Sequence, residues 1–201
     1  MEPIDLLINS ISERHLTLRV NLDRPIFVQP EDRMEFRSAR IVIILGMLTT
    51  ANGLSKTVIA CVDFLLRNEA FQSKFIVEYF NGQKNIISKV NTFETSLQTE
   101  IDFNIVQYKS VPWDIRFNDM FLYLHVRELI NHKSDKDNKN VRLFLSDIGK
   151  QYFEQIKNAF PRELNFLDLF GTRIVEDKLI KIITEVIPNS YWKQNVAIDN
   201  Q

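Results

Sequence analysis

The residues that could do chemistry in this sequence are few and scattered. The three histidines, His15, His125 and His132, form no His-Glu-x-x-His zinc motif. Cys61 is the single cysteine, which excludes a disulfide within the chain and a Cys-rich zinc site. The five glycines do not cluster into a phosphate-binding loop. We therefore expect no enzyme, with no catalytic residue, no metal ligand and no cofactor of its own.

The most concentrated group of charges lies in the segment -KSDKDNKN-. Its carboxylates, Asp135 and Asp137, alternate with lysines, whereas a cation site seldom mixes its carboxylates with positive charges. The basic side chains of this region are the candidate DNA contacts, because phosphates attract them. They are Lys133, Lys136, Lys139 and Arg142. A purely solubilising role for these four residues remains the alternative, since the two aspartates offset their charge.

The elements that carry this segment are predicted from residues 113–160, which indicate helix, strand, polar loop, strand and helix. Val141, Leu143 and Leu145 alternate as in a half-buried strand, and Ser146 is a favourable N-cap for the second helix. We expect Asn118 to cap the first helix, with Leu122 in a hydrophobic staple. The buried stripe predicted for the second helix comprises Ile148, Tyr152, Ile156 and Phe160.

This order predicts a mainly α (α+β) protein: a winged-helix domain with a two-stranded β-hairpin wing and extra helices. A hairpin between two helices of an unrelated α+β fold is the alternative. Upstream, Ser38 and Ser55 are candidate N-caps of two apolar helices separated by Asn52-Gly53. These two helices indicate either a helix-turn-helix or a plain helical hairpin. A further helix is predicted from Thr92 to Ile105, where apolar residues recur every fourth position.

Three regions follow from this pattern. Residues 1–36 form an N-terminal arm, residues 37–170 the winged-helix core with its wing at 129–145, and residues 171–201 a C-terminal helix and tail. The arm and the tail carry the candidate partner-binding residues, because exposed aromatic side chains make good anchors. They are Ile26, Phe27, Val28, Tyr191 and Trp192. Packing of these side chains on the protein's own core is the alternative.

Composition narrows the classes of partner. The 201 residues carry a formal net charge of -1, which disfavours a protein that works by non-specific phosphate contacts. The longest apolar run, residues 41–48, is too short to span a bilayer, and the first residues lack the basic and apolar pattern of a signal peptide. We expect a cytoplasmic protein that does not bind membranes.

Three runs together resemble a known family. They are -SARIVIILGMLTTANGLSKTVIACVDFLLRNEAF-, -VPWDIRFNDMFLYLHVRELINHK- and -VRLFLSDIGKQYFEQI-. Their pattern is similar to the middle component of ABC-three-component systems, which resembles winged-helix adaptors. Such components accompany an SMC/Rad50-like ATPase and an effector in Lamassu-type bacterial anti-phage and anti-plasmid defence. The resemblance implies a non-catalytic adaptor subunit, with ATP and magnesium bound by the partner ATPase and an effector such as a nuclease.

The wing and the helix after it are equally similar to MarR-like winged-helix transcription regulators, which bind DNA. This chain departs from them in the run -KTVIACVDFLL-, where Lys56 is the only basic residue before Arg67. A helix that reads base edges needs polar side chains on its exposed face. The sequence therefore favours protein contact, with DNA reached through the complex as the weaker prediction.

Overall fold

A computed structural model describes residues 33–48, 53–87, 104–134, 141–171 and 174–196 of the chain, with side chains as far as Trp192. All of these residues except Arg33 belong to one compact unit, Met34–Gln201. The predicted arm, residues 1–36, lies outside the described residues up to position 32. Its last three residues, 34–36, already form part of the first helix.

Helices dominate the described chain. They are α1 (Met34–Leu48), α2 (Lys56–Arg67), α3 (Glu69–Tyr79), α4 (Lys84–Ile87), α5 (Phe117–Val126), α6 (Asp147–Ile156), α7 (Pro161–Asp168), α8 (Glu176–Val186) and α9 (Asn189–Val196). The strands are β1 (Leu54–Ser55), β2 (Ile105–Tyr108), β3 (Val111–Asp114), β4 (Ile130–Ser134) and β5 (Val141–Leu145). The predicted mainly α (α+β) class is confirmed.

The strands form two small antiparallel sheets. One has the order β1-β5-β4, with Leu54 opposite Leu143 and Ile130 opposite Leu145. The other is the β2-β3 hairpin, in which Lys109 and Ser110 form the turn with φ values of 49° and 66°. Positive φ at both central residues is typical of a two-residue hairpin turn, because the twist of such a turn matches the right-handed twist of the flanking strands.

The helices share one hydrophobic core. Helix α1 is buried nearly all round, as its continuous apolar sequence predicts, and it packs against α2, α5, α6 and α7. Helix α8 packs against α2 and α3 with its Leu179–Val186 face, so the C-terminal region contributes to the same core. Phenylalanine fills much of this interior, because Phe64, Phe75 and Phe117 are all at most 1% exposed.

Two of the predicted helix caps are confirmed. Ser55 Oγ accepts a hydrogen bond from Val58 N at 3.2 Å, although Ser55 also belongs to β1 and lies opposite Arg142. Ser146 Oγ accepts a hydrogen bond from Gly149 N at 2.9 Å at the start of α6. Each hydroxyl satisfies a backbone donor that the first helical turn leaves unpaired.

Two other predicted caps are wrong. Ser38 lies inside α1, which begins four residues earlier at Met34, and its side chain is buried. Asn118 lies inside α5, which is preceded by Arg116, and Leu122 is 61% exposed, so it forms no hydrophobic staple. The start of α5 is fixed instead by Asp114, whose Oδ1 accepts a hydrogen bond from Arg116 N at 2.8 Å.

The helix predicted from Thr92 to Ile105 is only partly testable. Ile105 lies in strand β2, because it pairs with Asp114 across the hairpin, so the helix does not extend to this residue. Residues 88–103 lie outside the described residues. Helix α6 stops at Ile156, and Pro161 occupies the first turn of α7, where its missing N–H costs nothing.

Candidate functional site

Helix α5 exposes aliphatic side chains on the face that the core does not cover. Its buried side comprises Phe117, Met120, Phe121 and Leu124. Leu122 and Val126 are 61% and 72% exposed, and their spacing of four residues places them on one face. Ile115, just before the helix, is 57% exposed. Large apolar side chains with this exposure in a row are a typical feature of an interaction surface.

A buried ionic cluster positions the start of α5. Asp114 is 1% exposed, and its Oδ2 accepts hydrogen bonds of 2.6 Å from both Arg37 of α1 and Arg67 of α2. Arg67 also approaches Asp63, which in turn lies 3.6 Å from Arg40. Because charge-assisted hydrogen bonds are directional, these contacts fix Asp114, the last residue of β3 and three positions before α5, relative to the two central helices.

Burial affects the pKa of one member of this cluster, Arg37. Desolvation, together with the positive charge of Arg67, lowers the pKa of Arg37, whereas the negative charge of Asp114 raises it. A guanidinium nevertheless stays protonated in a folded protein at neutral pH. Arg37 therefore keeps its positive charge, and its observed contacts are structural.

The end of α5 has an unusual cap. Glu128 N donates to His125 O and Leu129 N donates to Leu124 O, both at 2.9 Å, which is the pattern of a Schellman motif. Glu128 occupies the left-handed position of this motif with a φ of 57°. Glycine is the usual residue there, because a side chain in this conformation is strained.

This cap borders an open groove of about 680 Å³ between α5, β4 and the start of α6. Ile130, 2% exposed, contributes an apolar surface at its base, while Val126 and Ile148 are 72% and 50% exposed. The described residues that line it include two carboxylates, Glu128 and Asp147, and neither lysine nor arginine. The full lining is His125, Val126, Glu128, Ile130, Asn131, Ser146, Asp147 and Ile148.

A glycine permits the two walls to approach each other. A Cβ added at Gly149 would lie 1.9 Å from the carbonyl oxygen of Leu129, which is too close for any side chain. The same carbonyl accepts a hydrogen bond from Ser146 N at 3.1 Å. Gly149 therefore allows the first turn of α6 to contact the backbone that follows α5, and Ile148 is left on the exposed side. The prediction that Ile148 belongs to the buried stripe is wrong for this reason.

Two contacts modify the polar rim. Lys150 Nζ donates to Asp147 Oδ1 at 2.8 Å, and this hydrogen bond lowers the pKa of Asp147, so the carboxylate stays charged at neutral pH. The rings of His125 and His132 meet edge to face, with centroids 5.7 Å apart. The edge of the groove thus carries two carboxylates, Glu128 and Asp147, of which Asp147 is paired with Lys150, and an imidazole at one side.

The predicted wing residues lie in different settings. Lys133 is exposed on β4, directly opposite Arg142 on β5. Arg142 Nη1 donates to Glu176 Oε1 at 2.7 Å and to Gly53 O at 3.3 Å, which ties β5 to α8 and to the residue before β1. Lys136 and Lys139 lie outside the described residues.

The predicted partner-binding aromatic residues are buried. Tyr191 and Trp192 are 6% and 9% exposed, and both rings pack against Phe64, with centroid distances of 5.7 Å and 6.5 Å. An anchor must be exposed in the free protein, and these two rings contribute instead to the core, which was the alternative. Ile26, Phe27 and Val28 lie outside the described residues.

Cys61 is buried in α2, away from solvent. Burial raises the pKa of Cys61 to about 12, so its thiol is protonated at neutral pH and a weak nucleophile. Among the described residues, no three His, Cys, Asp or Glu side chains converge as a metal site requires. None of the described helices combines the length and the apolar character that crossing a bilayer requires.

The sequence analysis predicts no binding role for Leu122, Val126 or Ile148, and it assigns Leu122 and Ile148 to packing. A signal for the first two was present, because α5 contains more large apolar residues than one helical face can bury. Leu122 and Val126 lie off the stripe of Phe117, Met120, Phe121 and Leu124. For Ile148 the sequence carried no such signal, since its exposure depends on the approach of Gly149 to Leu129.

Comparison of the chain with protein-family models, with curated proteins and with solved structures gives no match.

Proposed function

We propose that this chain is a winged-helix adaptor: a non-catalytic subunit that works by binding other proteins. The order of its elements supports the winged-helix assignment. Helix α1, strand β1 and helix α2 precede α5, and the β4-β5 hairpin follows it in a sheet of order β1-β5-β4. In this scheme the hairpin is the wing, α3, α4 and β2-β3 are insertions, and α5 takes the place of the recognition helix.

The observation that carries the proposal is the exposed face of α5. A recognition helix that reads DNA presents polar and basic side chains to base edges and phosphates. Here the corresponding face presents Leu122 and Val126, with Asp119 as its exposed charged residue within Phe117–Val126. Apolar side chains gain free energy by contact with another apolar surface, and an aspartate repels phosphate. A protein partner fits this face better than DNA does.

The partners follow from the family resemblance of the sequence. We propose an SMC/Rad50-like ATPase as the primary partner and an effector, such as a nuclease, as the second. ATP and Mg²⁺ would be bound by the ATPase. The chain would contribute contacts only, consistent with the structural roles of the buried ionic cluster and of Cys61.

Co-expression tests the proposal. The chain is produced with the ATPase encoded beside it and purified through a tag on the ATPase, followed by size-exclusion chromatography. We expect the two proteins to elute as one complex that survives about 0.5 M NaCl, because apolar contacts are little affected by screening. Absence of the chain from the material that the tagged ATPase retains, with the effector also co-expressed, would contradict the proposal.

A MarR-like DNA-binding regulator is the alternative, and it predicts a different result. Selection from random duplexes would then recover a pseudo-palindromic site bound on the order of 10³-fold more tightly than random DNA. Charge reversal of the wing, Lys136→Glu with Lys139→Glu, would weaken that binding and reduce its salt dependence. Recovery of such a site would replace the adaptor proposal.

A further inference from the structure

We propose that the groove between α5, β4 and α6 binds a basic amphipathic helix of a partner protein. Aliphatic side chains of that helix would contact Val126, Ile148 and Leu122, and a lysine or arginine would lie beside Glu128 and Asp147. This inference rests on the proposed adaptor function, and it specifies the surface and the chemistry of the partner segment.

The apolar part of the site matches a helix in its spacing. Leu122 and Val126 are four residues apart on α5, and Ile148 lines the groove with Val126 from the neighbouring helix. A helical partner presents its own apolar residues three or four positions apart, so that they can pack between these side chains. Three of the eight large apolar side chains exposed in the described chain lie on this face or in the groove beside it: Leu122, Val126 and Ile148.

The charge of the rim selects a basic partner. Glu128 and Asp147 line the groove, and no basic side chain is present among its described lining residues. The pairing of Asp147 with Lys150 uses Oδ1, and the side chain of Asp147 remains 93% exposed. A lysine or arginine on the partner would therefore meet two carboxylates at the edge of an apolar contact, where charge complementarity gives specificity.

The conformation of Glu128 is an independent indication. The chain holds a glutamate in the left-handed cap position of α5, where glycine would be unstrained. Strained residues of this kind concentrate at functional sites, where the surrounding structure holds them in place. Here the strained residue carries one of the two carboxylates that border the groove.

Binding of synthetic peptides to the full chain tests the inference directly. Two labelled peptides of about 18 residues carry the same leucine stripe, and their polar positions are lysine in one and glutamate in the other. We expect the chain to bind the lysine peptide more tightly. Val126→Asp and Ile148→Asp should each lower the affinity for the lysine peptide by about tenfold or more, as substitutions of central interface residues do.

Matched controls distinguish binding in this groove from non-specific binding to exposed apolar side chains. Val77→Asp and Val175→Asp place the same charge at apolar residues that are 42% and 55% exposed elsewhere, and they should leave the affinity unchanged. Glu128→Lys with Asp147→Lys should reverse the preference in favour of the glutamate peptide. Equal weakening by control and groove variants, or a preference that the double reversal leaves unchanged, would overturn the inference.

Glu128→Gly distinguishes a binding role from a structural one. Removal of the strain should raise the melting temperature of the protein, while loss of the carboxylate should lower its affinity for the lysine peptide by about fivefold. A variant that melts higher and binds unchanged would exclude Glu128 from the site. Circular dichroism of the bound peptide should show induced helix, and an extended bound peptide would instead indicate strand addition to β4 and overturn the proposal.

The result is separable from the test of the adaptor function. If the ATPase co-purifies with Val126→Asp as well as with the unchanged chain, and the lysine peptide fails its controls, the groove proposal fails while the adaptor function stands. If no ATPase binds but the lysine peptide passes all controls, the groove stands and its partner is a different protein.

Discussion

Arg37 Nη1 donates a hydrogen bond to Asp114 Oδ2 across 2.6 Å, although the two residues are 77 positions apart in the chain. Both side chains are buried, at 4% and 1% exposure, and Arg67 donates to the same oxygen at the same distance. Through its other oxygen Asp114 holds the backbone that begins α5. One carboxylate thus connects α1 and α2 with the helix that carries the candidate site.

Removal of this carboxylate should be costly. Asp114→Ala leaves two buried guanidinium groups without it, and we expect the free energy of unfolding to fall by about 3–5 kcal/mol. Urea denaturation followed by circular dichroism measures the change. Asp119→Ala, which removes an exposed carboxylate from α5, is the matched control and should change stability by less than about 0.5 kcal/mol. Similar effects of both variants would show that the buried cluster contributes little.

Gly149→Ala should destabilise the protein, although alanine normally favours a helix over glycine by about 1 kcal/mol. The added methyl would lie 1.9 Å from the Leu129 carbonyl oxygen, and this backbone atom cannot move away as a flexible side chain could. We expect a loss of about 1–3 kcal/mol in thermal or urea unfolding. Gly46→Ala offers a comparison, because its added methyl meets the ring of Phe153. A gain in stability for Gly149→Ala would contradict this close approach.

The thiol of Cys61 should make stability depend on alkaline pH. Burial raises its pKa from 9.0 to about 12, so the folded state retains a proton that the unfolded chain releases. The thiol's contribution is complete below pH 9 and is lost as the pH rises towards 12, with a limiting slope of about 1.4 kcal/mol per pH unit.

Comparison with Cys61→Ala isolates this effect, because burial raises the pKa of Tyr79 and Tyr191 in both proteins. We expect the difference in unfolding free energy between the two proteins to be constant below pH 8 and to shift against the cysteine form above pH 9. A difference that stays constant up to pH 11 would show that the thiol is not buried.

The contact between Arg142 and Glu176 should be weak in spite of its 2.7 Å length. The two side chains are 37% and 27% exposed, and ion pairs open to solvent contribute at most about 1 kcal/mol. A double-mutant cycle of Arg142→Ala and Glu176→Ala measures the coupling free energy, which should decrease with salt. A larger coupling would mean that Arg142 holds β5 against α8 more strongly than its exposure indicates.

The sequence predicts the hairpin and its flanking helices well. Val141, Leu143 and Leu145 alternate, Ser146 caps the following helix, and Gly53 has a positive φ of 72°. These features depend on neighbouring residues, so local patterns suffice to find them. The apolar helix predicted after Ser55 is found as α2, and its side chains Val58, Ile59, Val62, Leu65 and Leu66 are buried.

The parts that the sequence did not predict depend on distant contacts. Arg37 and Arg40 lie in the first turns of α1 and are buried. Arginine is seldom buried unless it is paired, so burial is not expected from the sequence without knowledge of the partners. Those partners, Asp63 and Asp114, are remote in sequence, and so the start of α1 was placed at Ser38 instead of Met34. The exposure of Ile148 likewise follows from a backbone contact at Gly149 that no periodicity reveals.

Ser55 belongs at once to the sheet, through its pairing with Arg142, and to α2, through its hydroxyl cap. The sheet and the central helix α2 are therefore joined directly at Ser55, with no loop between strand and helix. Displacement of the β4-β5 hairpin should therefore displace the start of α2 as well. Insertion of one glycine between Ser55 and Lys56 should uncouple the hairpin from α2, because it would separate the strand residue from the helix that it caps.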